Sequence, residues 1–158
     1  MKVLGIDPGT AACGYGIVQQ SEGRLTAIAH GCWTTRAGQR QDLRLKTIFD
    51  GVAEVIAEHA PDAVALEESY VGADARIALS VGQARGAVLV ACATAGVAAA
   101  EYSPTHVKQA VCGYGHAEKA QVQRMVKLVL GIEVKNQHAA DALAVAICHV
   151  TAPRRAAA

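Results

Sequence analysis

Asp7, Glu67, His138 and Asp141 are the side chains of this sequence whose types and spacing could do chemistry. Asp7 closes a short apolar run, Lys2-Val-Leu-Gly-Ile6, and Pro8-Gly9 turns the backbone away directly after it. Glu67 closes a second apolar run, Ala63-Val-Ala-Leu66. His138 and Asp141 are spaced i, i+3, which places them on one helix face, with Ala139, Ala140, Ala142 and Ala144 around them. Carboxylates are seldom buried unless paired or metal-bound. Gathered in one crevice, these groups would repel each other without a counter-charge. Divalent metal supplies one: oxygen ligands suit Mg²⁺ or Mn²⁺, and two ions about 3.5–4 Å apart suit phosphodiester hydrolysis. If His138 ligates directly, its softer imidazole favours Mn²⁺. Singly, each residue has an ordinary reading as a turn cap, a solvated acid or a structural histidine. The set of four points to a metal centre.

The elements that must position this set alternate along the chain. Glycine punctuation and alternation predict strands at 2–7, 14–20 and 24–33, joined as an antiparallel meander. Leu45, Ile48, Phe49, Val52, Val55 and Ile56 predict an amphipathic helix over 43–59, with Asp42 as its N-cap and Pro61 beyond its end. Residues 63–67 read as a buried parallel strand. Residues 74–96 read as a long helix, apolar nearly all round and therefore buried on several sides, with a dimer interface along it. A fifth strand is expected at 98–102. Ser103-Pro104 starts the next helix and Gly113 stops it. Helices at 118–130 and 137–150 follow, the last capped by Asn136. If the first and fourth strands are neighbours, Asp7 and Glu67 share the crevice where α/β sheets place ligands. The expected fold is α/β: a five-stranded mixed sheet flanked by helices on both faces. Residues 1–152 are read as a single domain, and 153–158 as a short flexible tail.

The chain has 158 residues, 52% of them hydrophobic and 18% charged, which fits a globular domain and excludes a disordered one. Its net charge of +1 does not announce a nucleic-acid partner. The charges are nonetheless segregated. Arg36, Arg40, Arg44 and Lys46 cluster in one stretch, and Lys108, Lys119, Arg124, Lys127 and Lys135 in another. Between them Asp50, Glu54, Glu58, Asp62, Glu67 and Glu68 occur with no Lys or Arg. Solvated helix faces account for many of these, and a metal centre flanked by polyanion contacts accounts for the rest. Five cysteines without Cys-x-x-Cys spacing point to a reducing cytoplasm. The uncharged apolar stretch at 86–100 is too short to span a bilayer, so no membrane association is expected.

Several stretches in order, Leu4-Gly-Ile-Asp-Pro-Gly-Thr10, Leu66-Glu67, Leu79-Ser-Val-Gly-Gln-Ala-Arg-Gly86, Val107-Lys-Gln109, Ala117-Glu-Lys-Ala-Gln-Val122 and Ala139-Ala-Asp-Ala-Leu-Ala144, resemble the RuvC family of bacterial Holliday junction resolvases over nearly the whole chain. The resemblance implies an RNase H-like fold and a crossover junction endodeoxyribonuclease. It puts a catalytic, metal-binding tetrad on Asp7, Glu67, His138 and Asp141. Some family members carry Asp at the position of His138, which leaves ligand, water-mediated ligand and proton acceptor as its possible roles. The resemblance further implies a homodimer holding a four-way DNA junction and nicking two opposed strands in recombination and repair. It also implies partnership with a RuvA–RuvB branch-migration complex, and a bacterial cytoplasmic location.

Lys119 opens a helix, where backbone N–H groups already favour phosphate, and Lys108 lies one helix earlier. Both match family lysines near the scissile phosphate. Tyr70, in a polar stretch with little core to fill, could stack on an exposed base. Gln83 and Arg85 are further candidates for DNA contact. Rival readings are an RNase H-like nuclease acting on another nucleic acid, a non-catalytic junction-binding module, and an actin-like ATPase or sugar kinase. The last also opens with strand-Asp-x-Gly-Thr but requires a second domain and a second phosphate loop.

Overall fold

A computed structural model describes residues 1–68 and 74–152. The elements are β1 (Lys2–Asp7), β2 (Ala12–Ser21), β3 (Arg24–Thr34), α1 (Gln41–His59), β4 (Ala63–Glu67), α2 (Ala75–Thr94), β5 (Ala99–Tyr102), α3 (Pro104–Cys112), α4 (Lys119–Leu130) and α5 (Gln137–Thr151). The five strands form one sheet in the order β3-β2-β1-β4-β5. β1 pairs antiparallel with β2 and parallel with β4; β2–β3 is antiparallel and β4–β5 parallel. The expected mixed five-stranded sheet is therefore the observed one.

Strand alternation sorts the apolar residues onto two faces. Leu4, Ile6, Ile17, Val64 and Leu66 pack with α1 and α2 on one side. Val3, Val18 and Ala65 pack with α3, α4 and α5 on the other. Helices cover both faces, and β1 sits in the middle with Val3, Leu4 and Ile6 fully buried.

Three sequence expectations need correction. Asp42 does not cap α1: the cap position is Arg40, and Asp42 lies in the first turn, accepting a 2.5 Å bond from the Arg40 guanidinium. The second strand, expected to start at Gly14, starts at Ala12, so Gly14 lies within β2. The long helix α2 is not buried on several sides. Ala84, Val88, Ala91 and Cys92 face the core, while Ile77, Leu79 and Val90 are 63%, 64% and 57% exposed. By length and composition alone α2 is apolar enough to cross a membrane. Here one side of it packs on the sheet and α1, and the apolar residues on its outer side stand free in the single chain. The tail 153–158 lies outside the described residues.

Candidate active site

β1 and β4 run parallel with Ile6 opposite Leu66, and each ends one residue later in a carboxylate. The two-residue strand period puts Asp7 on the face of Val3 and Gly5, and Glu67 on the face of Ala65. That is the face covered by α5.

The helix lies very close to the sheet. A Cβ at Gly5 would stand 2.0 Å from the Ala142 carbonyl oxygen, one at Gly14 2.1 Å from that of His138, and one at Gly16 2.5 Å from Leu143 Cγ. Gly5 and Gly14 thus let the α5 backbone at Ala142 and His138 come directly against the strands, and Gly16 makes room for the Leu143 side chain. Asn136 fixes the first turn of α5 by accepting the Ala139 N–H at 3.0 Å. Two residues on, His138 Nδ1 lies 2.9 Å from Asp7 Oδ2, the imidazole donating to the carboxylate. Asp141 is met from α4: Lys119 Nζ lies 2.7 Å from its Oδ2, and Gln123 Nε2 donates to its Oδ1 at 3.4 Å.

Asp7, Glu67, Lys119, His138 and Asp141 all line one cleft of about 590 Å³. An adjoining hollow of about 240 Å³ shares Glu67, Lys119 and Asp141 and adds Lys108. Burial, reinforced by Asp7 and Asp141, pushes the Glu67 carboxyl from 4.5 up to about 7. Burial also raises Asp7, with the His138 hydrogen bond opposing it and Asp141 adding to it. The hydrogen bond to Asp141 raises Lys119. Negative charge is in excess here, and the donors are hard oxygens plus one imidazole. This is the chemistry a divalent cation requires. Among the described residues no three such groups already converge as a cage. His138 and Lys119 instead occupy the hydrogen-bonding edges of Asp7 and Asp141.

The turn after Asp7 is pinned from three directions. Thr10, 4% exposed, bonds through Oγ1 to the Ser80 carbonyl at 2.8 Å and the Ser80 hydroxyl at 2.6 Å. Its own carbonyl accepts from Thr35 Oγ1 at 2.6 Å, and Thr35 accepts from Arg44 Nε at 2.8 Å. The β1–β2 turn is thereby tied to β3, α1 and α2.

Arg76 also lines the cleft and was not singled out from the sequence. A signal for it existed: it lies in the first turn of α2, where a cation opposes the helix dipole. Arg85 and Gln83 do not line the cleft. Arg85 is ion-paired with Glu101 on β5, and Gln83 accepts from Gln41 Nε2 at 2.8 Å. Tyr70 lies outside the described residues.

The family description "Crossover junction endodeoxyribonuclease RuvC" matches residues 3–149. The chain belongs to the RuvC family. The RuvC of Heliobacterium modesticaldum is 51% identical over 94% of this chain and 93% of its own. The RuvC of Moorella thermoacetica is 49% identical over 96% of this chain and 92% of its own. The solved structure of Thermus thermophilus RuvC in complex with Holliday junction substrate superposes with a TM-score of 0.90 at 38% identity, covering 95% of this chain and 93% of that one. The architecture described above is accordingly the RNase H-like fold of RuvC.

Proposed function

We propose that this protein is a structure-selective endonuclease that resolves four-way DNA junctions, cutting two opposed strands by metal-dependent hydrolysis. The observation that carries the reading is the gathering of Asp7, Glu67 and Asp141 from β1, β4 and α5 into one cleft, with Lys119 across from them. Family membership supports the same activity and substrate.

Asp7, Glu67 and Asp141 would hold two Mg²⁺ or Mn²⁺ ions, and His138 would ligate in place of its bond to Asp7, which would favour Mn²⁺. Bound there, divalent ions supply Lewis-acid charge and allow water to ionise near neutral pH. Lys119 shifts its ammonium from Asp141 to the phosphate and stabilises charge developing on its oxygens. Lys108, in the adjoining hollow, holds the neighbouring backbone. Glu67 must release its proton before it can ligate, which ties activity to pH near 7.

The working unit is a homodimer joined along the outer side of α2. Leu79, Gly82, Gly86 and Val90 fall on one stripe of that helix. Leu79 and Val90 are exposed, and nothing stands within 4 Å of a Cβ built on either glycine, so another helix can approach closely. Tyr70 stacking on a junction base, action beside a RuvA–RuvB complex and a bacterial cytoplasmic setting complete the reading. Five free cysteines are consistent with that setting.

The test compares four-way junctions, RNA–DNA hybrids and linear duplex in Mn²⁺. Wild type cleaves junctions preferentially, and Asp141→Asn binds junctions without cutting them. Preferential cutting of hybrids, or cleavage by Asp141→Asn, refutes the assignment.

A further inference from the structure

A second groove, of about 450 Å³, runs along α4 away from the cleft, and the active-site assignment gives it no role. Its lining includes Gln123, Arg124, Lys127, Lys135 and Gln137, contributed by α4, the segment that follows it and the start of α5. Arg124 and Lys135 are exposed. Lys127 is shared with the exposed Glu133, whose carboxylate lies 3.3 Å from its Nζ. The groove therefore carries three cations against one acid.

Its position matters as much as its charge. α4 begins at Lys119, inside the cleft, and Gln123 both lines the groove and donates to Asp141. Lys119, Gln123 and Lys127 recur every four residues, on one side of the helix. From Lys119 to Lys127 the helix rises about 12 Å, roughly three to four base-pair steps of a duplex. Lys119, Gln123 and Lys127 thus lead along α4 from the acidic cleft to the basic groove, over a length that suits consecutive backbone phosphates.

We propose that this groove seats the phosphate backbone of the duplex arm adjoining the cut, with Arg124 and Lys135 as its principal contacts and Lys127 between them. The inference rests on the junction-nuclease reading. Because the contacts are made to phosphates, they set affinity and register without base preference. Gln123 links the seat to the centre, because a strand laid over it reaches the residue that orients Asp141.

The test uses the full chain in the Asp141→Asn background, which removes cleavage, and measures junction binding by fluorescence anisotropy across a salt series. Arg124→Gln with Lys135→Gln lowers the slope of log K against log salt by about 1.8 and weakens binding at least tenfold at physiological salt. Arg24→Gln, at the opposite end of the sheet in the β2–β3 hairpin, is the control and leaves the slope unchanged. Equal slopes and affinities for parent and double variant overturn the groove assignment. A parent that fails to bind junctions overturns the junction-nuclease reading itself, so the two failures are distinguishable. Circular dichroism of the double variant, whose substitutions are on exposed side chains, checks that the fold is kept.

Discussion

Replacing Glu67 by glutamine stabilises the metal-free protein while removing its nuclease activity. Glu67 ends β4 in a cleft it shares with Asp7 and Asp141, and burial together with those two acids lifts its carboxyl from 4.5 to about 7. Between those values the folded chain keeps a proton that the unfolded chain releases. Stability from this group is therefore complete below 4.5 and is lost as pH rises through about 7. At about 1.4 kcal/mol per pKa unit the ceiling is about 3 kcal/mol. Glu67 is partly open to solvent, so screening reduces this to about 1–2 kcal/mol. Glutamine keeps the shape and cannot ionise. Urea denaturation with a chelator at pH 8 shows Glu67→Gln more stable than wild type by about 1–2 kcal/mol, or roughly 2–8 °C in Tm. At pH 4 the difference disappears. Saturating Mn²⁺ raises wild type more than the variant and narrows the gap. A Glu67→Gln protein that is no more stable than wild type at pH 8 without metal refutes the reasoning, because burial and the neighbouring carboxylates would then not be penalising the charged Glu67.

Other consequences follow from the same geometry. Gly5→Ala places a methyl 2.0 Å from the Ala142 carbonyl oxygen, where only movement of α5 can relieve it; thermal unfolding shows a loss of about 3 kcal/mol, the upper part of the overpacking range, and cleavage falls more than junction binding. Lys119→Met removes the ammonium 2.7 Å from Asp141, and single-turnover kinetics give a loss of about 10²–10³ in cleavage rate with little change in junction affinity. Mn²⁺ affinity, measured by calorimetry, falls up to about tenfold per pH unit below 7 as protons compete for Glu67, and Glu67→Gln flattens that dependence. Leu79→Arg, on the exposed side of α2, shifts the protein to monomer in sedimentation velocity without lowering its Tm by more than about 1–2 °C.

The skeleton of the site was legible because its signals are local. An apolar run that ends in Asp or Glu beside a turn is visible in a few residues, and i, i+3 spacing fixes a helix face without any knowledge of the rest of the fold. The alanines of α5 announced close packing from the helix side. The sheet side was misread: Gly14 and Gly16 look like strand punctuation, and only the pairing of β2 with β1 shows that they and Gly5 form the bed on which the helix rests. Which faces of α2 are covered was equally non-local, since periodicity gives its apolar residues but not the number of neighbours. The Thr10–Ser80 and Thr10–Thr35 contacts join residues 70 and 25 positions apart, and no sequence pattern signals such pairs. Arg85 carried a charge that suggested DNA, yet its partner is Glu101, brought beside it by β5.

The helix seated on glycines also sets the order in which the enzyme acquires its activity. Asp7 leaves the ribosome early, and its partner His138 follows 131 residues later. Until α5 is made, the sheet face that carries Gly5, Gly14 and Gly16 lacks the helix that covers it, and the proposed centre lacks His138 and Asp141. On the proposed site assignment, junction cutting waits until synthesis has delivered α5. A chain that stops before α5 is expected to lack the proposed centre and to leave the apolar face of Val3, Val18 and Ala65 without that helix.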